Sequence, residues 1–201
     1  RAVEAALGWT PPPRAVLLRA VMAELERISH HINDVGAICN DTAYTLAHAH
    51  CSRMKEQLMQ LNDRLTGSRF LRGTMAVGGV AKDVSAIQRG EVVDVLDRIE
   101  KDFSELESII FANASLTDRL ETTVVLTERT AWDHGVVGVV GRASGLDQDV
   151  RRDRPFAAYD ELPVKVVLYR YGDVRARLRV RMDEIHESIR LIREIRHKIP
   201  Q

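Results

Sequence analysis

The stretch Leu18-Arg19-Ala20-Val21-Met22-Ala23-Glu24-Leu25-Glu26-Arg27-Ile28-Ser29-His30-His31-Ile32-Asn33-Asp34-Val35 decides the architecture. Leu18, Val21, Leu25, Ile28, Ile32 and Val35 recur at spacings of 3, 4, 3, 4 and 3, which makes one apolar stripe on an amphipathic α-helix. Upstream, Pro11, Pro12 and Pro13 interrupt any helix begun over residues 1–7. The chain restarts readily after them, because a proline ring suits the first helical turn. Downstream, Gly36 weakens the helix by about 1 kcal/mol relative to alanine. The pattern then resumes through Ala43, Leu46, Met54, Leu58, Leu61 and Leu65, so the two stretches read as one long helix with a bend or as two in series.

Two further stripes follow. Val92, Leu96, Ile99, Phe103, Leu106 and Ile110 are spaced 4, 3, 4, 3 and 4, predicting a second long helix that continues toward Leu120. Met182, Ile185, Ile189, Ile192 and Ile199 define a terminal helix that ends by Pro200, with Glu184, Glu187, Arg190 and Glu194 assigned to its opposite, polar face. Between the stripes, Gly67, Gly73, Gly78 and Gly79 mark residues 67–83 as a loop making close backbone approaches. Residues 130–159, with four glycines and the charged run 147–154, read mostly as loop with a short helix near 131–139. Residues 162–171, rich in Val and Tyr, read as a short strand or an extended segment. Each stripe needs another to cover it, so the expected fold is all-α: a single helical domain over 1–201, a bundle of long amphipathic helices joined by Gly-rich loops, with at most a short strand pair.

Composition narrows the function. Lys plus Arg number 29 against 29 for Asp plus Glu, giving zero formal charge, so a nucleic-acid partner is not expected. Hydrophobic residues make up 45% of the chain, and 12 glycines and 6 prolines are too few for a low-complexity segment. The longest uncharged apolar run, residues 135–141, is 7 residues long, against roughly 18–20 for a bilayer-crossing helix. Two cysteines, Cys39 and Cys51, do not make a disulfide framework or a Cys-only metal site. No P-loop, nucleophile elbow, zincin motif or dinucleotide fingerprint occurs. Glu26, His30 and Asp34 fall at i, i+4 and i+8 on one ridge. That spacing permits a metal, but the ridge lies nearly opposite the apolar stripe and reads as a solvated face. His48, His50 and Cys51 read the same way, and no metal site is assigned.

Four blocks in order carry the resemblance to a known family. Ala23-Glu24-Leu25-Glu26-Arg27-Ile28-Ser29-His30-His31, then Gly36 and Asp41, resembles an "ELxRIxxHxxxxGxxxxD" block; Leu65-Thr66-Gly67-Ser68-Arg69-Phe70 with Gly78-Gly79-Val80 resembles "GxR…GGV". Arg142-Ala143-Ser144-Gly145, Asp149-Val150-Arg151-Arg152 and Pro155 to Tyr159 resemble "RxSGxxxDxR…PYxxY", and Gly172-Asp173-Val174 with Arg177, Arg181, Glu184 and Ser188 resembles "GDxxxRxxVRxxExxxS". The family is the large subunit of membrane-bound nickel–iron hydrogenases of the formate-hydrogenlyase type (group 4), together with the related 49 kDa-type (D-type) subunit of respiratory NADH:quinone oxidoreductase. Residues 37–43 and 66–73 look more like the hydrogenase side.

The resemblance implies the central part of a redox-complex subunit. On the hydrogenase reading the intact assembly evolves or oxidises hydrogen at a nickel–iron centre held by two Cys-x-x-Cys pairs. Neither pair is present, so no cofactor is expected in this chain and it is expected to be inactive alone. The alternatives are the quinone-reducing D-type subunit of NADH dehydrogenase and a non-catalytic helical scaffold. The implied partners are an iron–sulfur small subunit and membrane subunits, with the chain peripheral on the cytoplasmic face of the membrane. Self-association of the isolated chain is also expected. His31 and Asp41 are the candidate catalytic residues. Asp41 matches an Asp that partners a quinone-ligating His on the respiratory side; its plainer reading is a bond to Arg53, Arg142 or another basic side chain. Arg69, Arg142, Asp149, Arg151, Arg177 and Arg181 are expected to frame the site by forking to carboxylates and carbonyls.

Overall fold

In the computed structural model, which describes residues 2–199, four long helices form an antiparallel bundle. A short α1, Ala2–Leu7, precedes the proline run, and Pro13 opens α2, Pro13–Asp41, at its first turn. α3, Thr45–Thr66, folds back along α2; α4, Ala86–Ala112, packs on α3; and α9, Val174–Lys198, lies between α4 and α2. Cross-contacts fix the directions. Lys55 meets Asn33, Arg64 meets Glu91, Arg193 meets Asp97, and Arg181 meets Asp34, so each neighbour runs opposite to the last. The predicted stripes fill the centre, with Leu25, Ile28, Ile32, Leu58, Leu61, Leu96, Ile99, Phe103, Ile185 and Ile192 all buried. Burying each such side chain contributes about 1.5–3 kcal/mol.

The fold is all-α as expected, with one two-residue strand pair. β1, Met75–Ala76, and β2, Gly79–Val80, form a tiny hairpin within the Gly-rich loop. Arg19 of α2 holds this hairpin by donating to the carbonyls of Ala76 and Gly79 at 2.8 and 2.7 Å. Glu4 of α1 accepts from Arg19 at 2.6 Å and from Gly78 N–H at 2.8 Å. These bonds keep the Glu4 carboxyl near 2, well below its usual range. The loop therefore packs against α2, as the glycine pattern indicated.

Several boundaries differ from the sequence reading. The first stripe is two helices, and the break falls at residues 42–44 rather than at Gly36, with Ala43 at φ +63°. Gly36 sits inside α2 for a packing reason. A Cβ there would stand 2.8 Å from the Cβ of Cys51, so α2 and α3 approach closely only because none is present. The second stripe stops at Asn113, whose side chain accepts from Leu116 N–H and caps a separate α5, Ala114–Leu120. The single short helix expected near 131–139 is a pair, α6, Glu128–Asp133, and α7, Gly138–Ala143; the charged run contains α8, Val150–Asp153. Residues 162–171 form no strand. Tyr169 N–H donates instead to the carbonyl of Arg142 at 2.9 Å. In α9 the supposed polar face is covered, because Glu184 and Glu187 are both buried. α9 ends at Lys198, and Pro200 lies outside the described residues.

Cys39 and Cys51 are free and buried where α2 meets α3. Burial pushes their thiols up to about 11 and about 12, the latter raised further by its neighbour Cys39. In the native protein near neutral pH both are expected to resist a thiol-modifying disulfide reagent and to react fully in denaturant; rapid native labelling of either would contradict the buried placement. Gly36→Ala is expected to lower stability by about 1–3 kcal/mol in urea unfolding, through overpacking against Cys51.

Candidate functional site

α2 and α9 each bury a second line of residues beside the apolar stripe. On α2 it runs Leu17, Ala20, Glu24, Ile28, His31 and Val35; on α9 it runs Ala176, Val180, Glu184, Glu187 and Leu191. Their antiparallel crossing sets His31 against Glu184, with His31 Nε2 2.7 Å from Glu184 Oε2. Residues 138–161 close over this seam and bring two arginines into it. Arg142, in the last turn of α7, donates through Nε to Glu184 Oε1 at 2.6 Å and through Nη1 to the carbonyl of Gln148 at 3.2 Å. Arg151, from α8, is wholly buried. Its Nε and Nη2 fork onto the Asp149 carboxylate at 3.0 and 2.8 Å, and its Nη1 lies 3.2 Å from both oxygens of Glu24. Tyr159, in a single 3-10 turn (Tyr159–Glu161), donates its hydroxyl to Glu24 Oε1. Arg27 stands between the two halves, 3.6 Å from Glu24 and 3.5 Å from Glu184.

Three carboxylates, Glu24, Asp149 and Glu184, thus face three guanidinium groups, Arg27, Arg142 and Arg151. Such a cluster survives burial only when its charges balance and its lone pairs are hydrogen-bonded. Burial alone would raise the Asp149 carboxyl, but the Arg151 hydrogen bonds and charge outweigh it and bring Asp149 down to about 2. The same contest lowers Glu184, where the His31 hydrogen bond and the Arg142 charge overcome burial. Tyr159 is pushed up by burial and by the Glu24 carboxylate, so its proton stays on the hydroxyl. His31 is the one member whose ring both takes and gives a proton.

The framing residues divide between this cluster and the surface. Arg142, Asp149 and Arg151 belong to the cluster. Arg181 pairs with Asp34 at 3.0 Å, and Arg177 caps carbonyls of Val124 and Gly172 at 2.7 and 3.0 Å. Arg69 pairs with Glu56 on the surface at 2.6 Å. His31 is in the cluster; Asp41 is not. It sits exposed at the end of α2, and it makes no ion pair among the described residues, correcting the expected bond to Arg53 or Arg142. Arg53 is taken by Asp102, and Arg142 by Glu184. On the Glu26 ridge, His30 lies 3.7 Å from Glu26 while Asp34 is turned to Arg181. His48 Nδ1 is 3.2 Å from the Gly36 carbonyl, and among the described residues no group of three or more His, Cys, Asp or Glu is placed to hold a metal. Sequence reasoning missed Glu24, Arg27, Tyr159 and Glu184 as site members. The line Leu17, Ala20, Glu24, Ile28, His31 and Val35, spaced 3, 4, 4, 3 and 4, is the signal that would have found the first of them.

Removing one partner leaves an uncompensated charge, so Glu184→Ala is expected to cost about 3–5 kcal/mol in equilibrium unfolding. A loss under 1 kcal/mol would show the seam to be hydrated and weak. Because Asp149 sits near 2 when folded and near 3.8 when unfolded, the unfolded chain binds its proton first as pH falls. The resulting stability, about 2 kcal/mol, is complete above about pH 5 and is lost as pH falls toward 2. Thermal melts of Asp149→Asn should be less stable at pH 7 and flatter between pH 2 and 5 than those of the wild type.

Comparison with known proteins agrees with this architecture. The D-type subunit of the NADH-quinone oxidoreductase of Akkermansia muciniphila is 33% identical over 199 residues, covering 99% of this chain and 48% of its own length. The second D-type subunit of the same enzyme in Sinorhizobium medicae is 35% identical over 200 residues, covering 100% of this chain and 50% of its own. The chain thus spans about half the length of these curated relatives. Among solved structures, the membrane-bound sulfane sulfur reductase, described as an archaeal respiratory membrane complex, superposes with a TM-score of 0.92 at 26% identity, over 99% of this chain and 54% of that one. Residues 34–201 match the family model described as the 49 Kd subunit of respiratory-chain NADH dehydrogenase, and the chain belongs to that family.

Proposed function

We propose that this chain is the helical frame of a quinone-reducing, D-type subunit in a multisubunit respiratory complex. The observation that carries the reading is the family match over residues 34–201 together with relatives named as NADH-quinone oxidoreductase subunits. In that complex electrons arrive from an iron–sulfur subunit, membrane subunits lie beneath, and the chain sits peripherally on the cytoplasmic side. Among the described residues no helix is long and apolar enough to cross a membrane. The hydrogenase reading is less well supported. The family model and the relatives are named for the quinone oxidoreductase, and Cys39 and Cys51, two buried thiols turned into a helix interface, are not placed as ligands of such a centre.

Within the frame, Asp41 offers an exposed carboxylate for a partner imidazole beside quinone, whereas His31 acts as a positioning residue locked to Glu184. Quinone takes up two electrons and two protons to become quinol, so a carboxylate–imidazole pair near its oxygen supplies a route for the protons. The superposed sulfane sulfur reductase supports a second acceptor on the same scaffold.

The test uses membranes in which this chain is assembled with its partners. Asp41→Asn is expected to cut quinone-reductase turnover about tenfold or more while leaving assembly and thermal stability unchanged, since Asp41 makes no ion pair among the described residues. Wild-type turnover in the variant would remove Asp41 from the chemistry. Hydrogen evolution or sulfane sulfur reduction without quinone reduction would overturn the quinone assignment itself.

A further inference from the structure

A cavity of about 660 Å³ opens beside the ion cluster, lined by Arg27, Arg142, Asp149, Asp153 and Arg154 with Val137 and Val150. Its hydrogen-bonding balance is one-sided. The carboxylates on its wall are already engaged. Asp149 takes the Arg151 fork and the Arg151 backbone N–H at 2.9 Å. Asp153 accepts the Asp149 N–H through one oxygen at 2.9 Å and Arg152 Nε through the other at 2.7 Å.

The donors are not engaged in the same way. Arg27 carries five N–H donors, yet its carboxylate neighbours stand at 3.6 and 3.5 Å, beyond the roughly 2.7–2.9 Å of a charge-assisted bond. Its Nε is buried with no hydrogen-bond partner. The exposed Arg154 guanidinium has no partner among the described residues. Three arginines against two aspartates leave the lining at +1. Idle guanidinium donors on a cavity whose carboxylates are occupied select an anionic acceptor, and a guanidinium fork fits a planar or tetrahedral oxyanion best.

We propose that this cavity is a site for a carboxylate or phosphate group, held by Arg27 and Arg154. Arg27 shares Glu184 Oε2 with His31, so an occupant that draws Arg27 outward is sensed at the His31 ring. The site stands apart from Asp41 and does not depend on the quinone reading.

The test is a side-chain NMR titration of the 201-residue chain labelled with ¹⁵N-arginine and ¹⁵N-histidine. Inorganic phosphate and succinate are added in separate arms, with sodium chloride matched for ionic strength. The expected result is a saturable shift of the Arg27 and Arg154 Nε–H resonances, accompanied by a shift of the His31 ring, with phosphate, succinate or both. The arms show whether a tetrahedral or a planar anion is preferred. Arg27→Gln should weaken the apparent affinity about tenfold or more, and Arg154→Gln several-fold. Arg190→Gln, whose guanidinium is engaged by Glu187 and Glu194, should leave it unchanged. If Arg27→Gln unfolds the chain, Arg154→Gln decides alone, because its side chain is exposed. Equal shifts with chloride, no saturation by either anion, or undiminished binding in Arg154→Gln would overturn the proposal.

Discussion

The seam between α2 and α9 is closed by buried charges, and most of the structure is arranged to keep those charges matched. Glu184 on α9 and Glu24 on α2 are both fully buried. Each would be prohibitively costly alone. The cost is offset from outside the bundle. Arg142 comes in on α7, Arg151 on α8 and Tyr159 on the 3-10 turn, each reaching one of the two carboxylates. This explains how residues 138–161, rich in glycine and charge and poor in apolar side chains, become ordered. They are tied down by ion pairs that the bundle needs as much as they do. The dependence runs both ways, which is why a buried pair is a weak source of net stability but a strong source of specificity here.

The helices were legible because their stripes are made of side chains whose only demand is burial. Leu18 to Val35, Val92 to Ile110 and Met182 to Ile192 read directly as faces. What periodicity did not reveal is how many faces a central helix buries. α2 touches α9, α3 and the closing loops, so Glu24 and His31 lie on an inner face that looks polar in a helical projection, and Glu184 and Glu187 mirror them on α9. The break at residues 42–44 has no signature in the sequence, because Ala43 carries no sign of its φ of +63°. Gly36 stands out for its backbone freedom, whereas its lack of a Cβ against Cys51 is the operative property. Residues 162–171 have strand-forming composition, but no neighbouring edge is placed to receive them, and composition alone does not supply one.

The four blocks that carry the family resemblance are largely the same residues that build the cluster. The first contains Glu24, Arg27 and His31; the third contains Arg142, Asp149, Arg151 and Tyr159; the fourth contains Glu184. They report a shared frame. A frame reports membership and not chemistry, so the blocks agree with the family that the chain belongs to without choosing a reaction. The preference for the hydrogenase side rests on residues 37–43 and 66–73, which form the end of α2, the following turn and a surface loop. Those segments lie away from the ion cluster. Residue identity there says less about kinship than the likeness along this whole chain to about half of each quinone oxidoreductase subunit does.

The protonation pattern of the cluster constrains what it can do. Asp149 and Glu184 are lowered, while Arg151 and Tyr159 are raised. These four therefore keep their charge states throughout the neutral range and form a fixed electrostatic scaffold. A relay would require groups with closely spaced proton affinities, and the scaffold spreads them apart. His31 is held in the same geometry, its ring against Glu184, which Arg142 also holds. Because Arg27 and His31 share one oxygen of Glu184, the ion pairs that close the bundle also fix the His31 ring, and an anion drawn to Arg27 would be one means of shifting that balance.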